Sequence, residues 1–209
     1  MNLLIFGATG PTGRELVSQA LEQGHDVTTL VRRPDAMPAQ QGKLRVAQGD
    51  AMREPDAIAE ALKGQDAVLS ALGTGKVLFP NRLQERSLGN IVPAMERAGV
   101  RRLIVMSAFG VGETARDASL VQRLMYATLL SAVFADKARG EATVRASSLD
   151  WTIVYPTVLT NGARTGRYRA GGRLEMQGLP AISRADVAHF MLGQLGEPSY
   201  LRRGVAISY

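Results

Sequence analysis

The chain has 209 residues, 45% hydrophobic and 21% charged, which predicts one folded core and excludes a disordered segment. It has no cysteine, which excludes disulfides, thiolate metal sites and cysteine nucleophiles, and its two histidines, His25 and His189, are too far apart in sequence to suggest a metal site. The net charge of +6 comes from 25 Lys+Arg against 19 Asp+Glu spread along the chain, which points away from nucleic acid and towards a small anionic ligand.

The first predicted strand, Asn2–Phe6, starts at once, with no basic leader and apolar core before it. No apolar run approaches the roughly 20 residues that cross a bilayer. A cytoplasmic protein with no membrane partner is the expectation. The strand runs into GATGPTG, where Gly7, Gly10 and Gly13 open the predicted helix Thr12–Gln23. A strand-to-helix turn this tight needs a residue that accepts positive φ, and a bare backbone lets a pyrophosphate approach the helix N-terminal amides. Pro11 suits the first helical turn, and the third glycine lets helix and sheet pack closely. This strand–turn–helix setting makes the glycine spacing a dinucleotide signal.

The second strand, Asp26–Val31, ends in Arg32-Arg33 where an NAD-specific site carries an acid for the ribose hydroxyls. Two guanidiniums there can pair with a 2′-phosphate, so NADP(H) is expected in preference to NAD(H). After the third strand, Leu44–Ala47, comes Gly49-Asp50-Ala51; Asp50 can accept from an adenine amino group or cap the next helix, Pro55–Leu62. The fourth strand, Ala67–Ala71, leads into Leu72-Gly73-Thr74-Gly75, small enough to let a cofactor pass. Helix Asn81–Ala98, strand Arg102–Met106, a helical stretch from about Ser119 to Ser147 and strand Thr152–Tyr155 follow. Ser183-Arg-Ala-Asp186 has the spacing of an N-cap for the helix through Val187–Leu195, and Val205–Ser208 is the last strand. Strands alternating with helices predict an α/β, single-domain, doubly wound parallel sheet (Rossmann fold) over residues 1–209. Residues from about 156 to 209 are expected to supply small elements covering the substrate.

GATGPTG, Arg32, GQDAVLSALGT, NIVPAMERAGVRRLIVMSAFG, SLDWTIVYPTVLTNGARTG and ISRADVAHFML together resemble the atypical short-chain dehydrogenase/reductases. Within these the chain is most similar to the biliverdin reductase B and flavin reductase group, with NmrA-like regulators as relatives. The resemblance implies NADPH along the carboxyl edge of the sheet. It places cofactor contacts at Gly7, Thr9, Gly10, Pro11, Thr12, Gly13, Arg32, Arg33, Asp50, Ala51, Leu72, Gly73 and Thr74, with Pro156, Thr157 and Val158 at the nicotinamide end.

Standard short-chain reductases place Tyr-x-x-x-Lys on one helix, the lysine lowering the phenol pKa. None of the five tyrosines has Lys four residues later; after Tyr126 that place is Leu130. Ser107 stands where the resembled family has its serine and can hold a substrate carbonyl or a flavin edge, or simply cap its own turn. Lys137 corresponds to the position of a histidine near the substrate in biliverdin reductase B; it can supply charge or a proton, or be solvated. Arg164, Arg167, Arg169 and Arg173 crowd a Gly-rich stretch expected to form a flexible hairpin over the active site, where they can grip a phosphate or propionates or remain in solvent. Phe109 and Trp151 can stack on a planar ligand, although Trp151 opens a strand and suits the core.

The expected activity is hydride transfer from NADPH to a small planar anionic acceptor: a flavin, a quinone or a linear tetrapyrrole. Such acceptors can take their proton from water, so the missing tyrosine disfavours them less than it disfavours alcohol–ketone chemistry. The alternative is a non-catalytic, cofactor-sensing NmrA-like regulator. A monomer or homodimer fits either reading, and no G-x-S-x-G elbow supports a serine hydrolase.

Overall fold

Leu3, Leu4, Ile5 and Phe6 are all fully buried, Leu3 and Ile5 towards one side of the first strand and Leu4 and Phe6 towards the other. A strand buried on both faces has to lie inside a sheet covered by helices on both sides. The computed structural model describes residues 1–37, 42–75, 81–116, 128, 130–176 and 180–209 and shows this arrangement. Its strands are β1 (Asn2–Phe6), β2 (Asp26–Val31), β3 (Leu44–Gln48), β4 (Ala67–Ser70), β5 (Arg102–Met106), β6 (Asp150–Pro156), β7 (Val158–Thr160), β8 (Arg169–Gly171), β9 (Ala181–Ser183) and β10 (Arg203–Ser208). The main sheet runs β3-β2-β1-β4-β5-β6-β10-β8, parallel throughout except for β8, and β7 pairs with β9 apart from it. The order reverses between β1 and β4, and ligands of open α/β sheets bind outside the carboxyl ends of the strands at such a point.

Helices α1 (Pro11–Glu22) and α5 (Arg184–Gly193) cover one face, where Leu16, Val17, Val187 and Met191 pack on Leu3, Ile5, Leu69 and Ile104. Helices α2 (Pro55–Ala61), α3 (Leu83–Ala98) and α4 (Ser131–Ala146) cover the other, with Ile58, Leu88, Ile91 and Val144 against Leu4, Phe6, Leu103 and Ile153. The predicted α/β, doubly wound parallel sheet is therefore present. Element ends shift by a few residues. Asn81 and Arg82 both take positive φ, so α3 starts at Leu83. The Gly-rich stretch expected as a hairpin instead supplies short strands that pair elsewhere, β8 antiparallel to β10 and β7 parallel to β9. The expected long helix is seen as α4; residues 117–127 and 129 of that stretch, Tyr126 included, lie outside the described residues.

Two buried aspartates organise the ends of these helices. Asp136 of α4 accepts from the backbone N–H groups of Gln84 (2.9 Å) and Glu85 (3.1 Å), so one helix caps the open first turn of its neighbour. A side chain on Gly140 would meet Leu88 Cδ1 at 2.8 Å and the Gln84 carbonyl at 3.0 Å, so the close approach of α3 and α4 needs a bare backbone there. In α5 the Ser183 hydroxyl accepts from the Asp186 N–H at 3.0 Å, as the spacing predicted. Asp186 in turn accepts from Thr165 N–H and Gly166 N–H (2.8 Å each), from the Thr165 hydroxyl (2.8 Å) and from the Tyr209 hydroxyl (2.7 Å). Burial raises the Asp186 pKa, but these four bonds outweigh it and hold the carboxyl below its ordinary value.

Asp136→Ala strands one buried and one half-buried amide and is expected to cost about 1–3 kcal/mol, read as a lower urea midpoint at unchanged m. Because the Asp186 pKa is depressed, its stabilisation is present above the ordinary carboxylate value of about 4 and is lost as pH falls through the folded value. Asp186→Asn should therefore melt below wild type at pH 7, and the gap should narrow towards pH 3.

Candidate active site

The turn after β1 is set by backbone sterics. Gly7 has φ +78°, and a Cβ placed on it would sit 2.6 Å from the Ala71 carbonyl carbon and oxygen at the end of β4. A Cβ on Gly13 would sit 2.0 Å from the Gly7 oxygen. Gly10 is the extended N-cap of α1, its N–H donates to the Gly7 oxygen at 3.0 Å, and Pro11 takes the first helical position. No side chain caps α1 among the described residues, so its first-turn amides face the carboxyl edge free for an anion.

A cleft opens there. Gly7, Thr9 and Gly10 form one side, Arg32 stands at the end of β2, and Asp50, Ala51, Met52, Leu72 and Gly73 continue the wall after β3 and β4. Thr12 and Gly13 are buried in the first turn of α1, while Thr74 is half-buried just beyond Gly73. Arg32 and Arg33 are both exposed, and neither pairs with a carboxylate of the described residues; Arg32 borders the cleft, whereas Arg33 starts the short 3-10 turn Pro34–Ala36 outside its wall. Asp50 Oδ1 accepts from Met52 N–H at 2.9 Å and closes its own turn; α2 begins later, after Glu54, so Asp50 does not cap it. Asn90 Nδ2 donates to the Ala51 oxygen (3.0 Å) and Gln84 Nε2 to the Leu72 oxygen (2.5 Å), tying both loops to α3.

From α3, Leu83 and Ser87 complete the cleft. Ser87 is fully buried and its hydroxyl has no hydrogen-bond partner, an arrangement that carries a desolvation penalty a ligand group in the cleft would remove. Sequence reading missed Ser87, whose one signal is a small polar residue one turn after Leu83. The glycine cradle, the uncapped helix start, the free Arg32 guanidinium and this orphan hydroxyl all fit a dinucleotide.

Ser107 follows β5, donates its N–H to the Val154 oxygen at 2.8 Å, and is 5% exposed. Its hydroxyl does not cap its own turn; it donates to Glu141 Oε1 of α4 at 2.5 Å. Tyr155 of β6 donates to Glu141 Oε2 at 2.7 Å, and Arg145 Nη2 donates to the Tyr155 oxygen at 2.8 Å. Arg145 also pairs with Glu113 at 3.2 Å and lies 5.2 Å from the Trp151 ring centroid. Burial raises the Glu141 pKa against the opposing pull of Ser107, Tyr155, Arg145 and Lys137, and burial with the neighbouring carboxylate pushes Tyr155 up as well. Lys137 is half-buried one turn before Glu141, its pKa lowered by burial to about 8 while Glu141 and Asp136 pull the other way. Glu141, Tyr155 and Arg145 were not among the expected site residues. Lys137-x-x-x-Glu141-x-x-x-Arg145 along one helix face was the signal that could have found them.

The remaining expected residues divide. Pro156 is buried at the end of β6, Thr157 donates to Ser208 Oγ at 3.1 Å, and Val158 is 60% exposed. Phe109 is 3% exposed in the core, so its ring offers no free face for stacking. Arg164 pairs with Glu22 at 3.3 Å. Glu22 ends a helix about 18 Å long that starts at the glycine turn, so Arg164 is held at the far end of α1 instead of over the cleft. Arg167 is exposed, and Arg169 is tied to the Glu175 and Tyr209 carbonyls.

Comparison with known proteins agrees with this geometry. A family described as NAD(P)H-binding matches residues 7–198. The (4-alkanoyl-5-oxo-2,5-dihydrofuran-3-yl)methyl phosphate reductase of Streptomyces griseus is 30% identical over 160 residues, 76% of this chain and 49% of that protein, so the chain spans about half the length of this relative. Among solved structures, ChuY, an anaerobillin reductase from Escherichia coli O157:H7, superposes with a TM-score of 0.82 at 24% identity, covering 99% of this chain and 96% of that one. A short-chain dehydrogenase/reductase from Veillonella parvula in complex with NADP gives 0.85 at 18% identity, covering 100% and 94%. At such identities the two structures speak for the Rossmann-like fold. With nearly its whole length covered by the family match, the chain belongs to the NAD(P)H-binding family.

Proposed function

We propose that the protein is an NADPH-dependent reductase that passes hydride to a planar acceptor such as a flavin, a quinone or a linear tetrapyrrole. The observation that carries the reading is Arg32: a guanidinium with no carboxylate partner among the described residues, bordering the cleft at the end of β2, where an acid would favour NADH. Bidentate pairing there suits the 2′-phosphate. The uncapped N-terminus of α1 would hold the pyrophosphate between Gly7 and Gly13, and Ser87 and Ala51 would flank the adenosine half. The bound nicotinamide would supply two electrons and a hydrogen as hydride. Around its end, Ser107 and Lys137 would meet the acceptor, with Pro156, Thr157 and Val158 beside them. Arg167, exposed on the tethered loop, is the remaining candidate for an anionic group on the acceptor. The reductase names of the Streptomyces relative and of ChuY support this class of chemistry.

NADPH oxidation, followed by nicotinamide absorbance against FMN, FAD, menadione and biliverdin with NADH in parallel, tests the reading. Turnover well above the enzyme-free rate on one of them is expected. Tight NADPH binding without turnover on the whole panel would move the assignment to a cofactor sensor. Arg32→Ala is expected to reduce the NADPH-over-NADH affinity ratio at least tenfold, about 1.4 kcal/mol. An unchanged ratio would remove Arg32 from the phosphate site.

A further inference from the structure

Reduction of such an acceptor needs a proton as well as hydride, and no tyrosine with a lysine four residues later is present to give one. The hydrogen bonds behind Ser107 run in one direction. Arg145 Nη2 donates to the Tyr155 oxygen (2.8 Å), Tyr155 donates to Glu141 Oε2 (2.7 Å), and Ser107 donates to Glu141 Oε1 (2.5 Å). Arginine is a donor without an acceptor atom and stays charged, so the Tyr155 oxygen is held as an acceptor and its hydrogen is committed to Glu141. A proton gained by Glu141 then belongs on Oε1, aimed at Ser107. Ser107 must turn its own hydrogen out of the network. With Glu141 ionised, Ser107 can offer a ligand only lone pairs; with Glu141 protonated, it offers a hydrogen.

We propose that Glu141 is a positioning residue that stores the proton Ser107 delivers to the reduced acceptor, with Tyr155 and Arg145 fixing its direction. The idea rests on the reductase reading. Once the acceptor has taken hydride and become an anion, the Ser107 O–H bond breaks towards the anion and the Glu141 O–H bond breaks towards Ser107 Oγ. The acceptor is left neutral, Ser107 is again a hydroxyl and Glu141 is a carboxylate. A proton from solvent then returns Glu141 to its acid form and completes the cycle.

The surroundings suit a stored proton. Lys137 and Arg145 face Glu141 from its own helix, Tyr155 from β6, Ser107 from the end of β5, and Glu113 stands behind Arg145 in the turn Gly112–Arg116. A Cβ on Gly112 would sit 2.6 Å from Glu141 Oε2, so backbone closes that side to bulk water. Burial lifts the Glu141 carboxyl above its ordinary value in spite of the two cations and two donors.

The test is the pH dependence of kcat with NADPH and the fastest of FMN, menadione and biliverdin, in water and in deuterium oxide, for wild type, Glu141→Gln and Tyr155→Phe. Nicotinamide fluorescence gives the NADPH Kd of each. Wild-type kcat is expected to fall as pH rises through one ionisation, because the proton is stored below that pKa and absent above it. Glu141→Gln should lose this limb, drop at least tenfold on its acid side and lose most of the solvent isotope effect, with the NADPH Kd within twofold of wild type. Tyr155→Phe removes a bond that favours the carboxylate, so the limb should move to higher pH. A limb at the same pH in both variants, or wild-type kcat in Glu141→Gln, overturns the proposal. If Glu141→Gln does not fold, the Tyr155→Phe displacement decides. Wild-type turnover with an unmoved limb sinks the proton store alone. NADPH binding with no turnover on any acceptor sinks the reductase reading and the store with it.

Discussion

Everything at the carboxyl edge depends on the contact between the turn after β1 and the end of β4. Gly7 lies so near the Ala71–Leu72 peptide that any side chain would enter it, and Gly13 lies equally near the Gly7 carbonyl. These two approaches bring α1 down onto the sheet with its N-terminus aimed across the strand ends. The same approach brings the loop after β4 up to the turn, so that Leu72 and Gly73 face Gly7 and Thr9 across one cleft. The sheet order reverses at this place, which leaves room above the strands for a ligand that adjacent crossover helices would otherwise fill.

A second constraint acts through α3 and α4. Asp136 caps the start of α3, and Gly140 lets the helices touch, so the position of α4 along α3 is set within a single turn. That setting carries Glu141 to the end of β5, where Ser107 waits. Gln84 and Asn90 tie α3 to the loops after β4 and β3. Helix α3 thus links the side of the cleft lined by Leu83 and Ser87 with the helix that carries Glu141, and a shift in its first turn would be felt in both.

The absent tyrosine–lysine pair gains a physical meaning from this arrangement. Tyr155 is on a strand, buried, and given to a carboxylate, so its phenol is held in the neutral form instead of being readied as an acid. Behind Ser107 a carboxylate, a phenol and a guanidinium are joined by hydrogen bonds that satisfy each other in a setting where an unpaired charge would be expensive.

From the residues alone, the alternation of apolar strands and helices, the glycine turn and the pair of arginines after β2 could be read, because each depends on neighbours within a few positions. Continuous apolar runs, positive φ and helix capping are local properties, and Ser183 capping α5 through Asp186 follows the same logic. What the chain does not carry locally is which side chains meet across the fold. Ser107 and Glu141 stand 34 positions apart, Arg164 and Glu22 stand 142, and both pairings arise from helix packing and loop tethering. Phe109 reads as a ligand-stacking ring in sequence, yet burial takes it, and Arg164 reads as a guard of the site, yet Glu22 draws it to the other end of α1. Sequence by itself determined the fold and the glycine turn at the carboxyl edge, because short-range backbone sterics and apolar patterning dictate them; tertiary structure decided the groups behind Ser107, because long-range hydrogen bonds form only after the helices have docked.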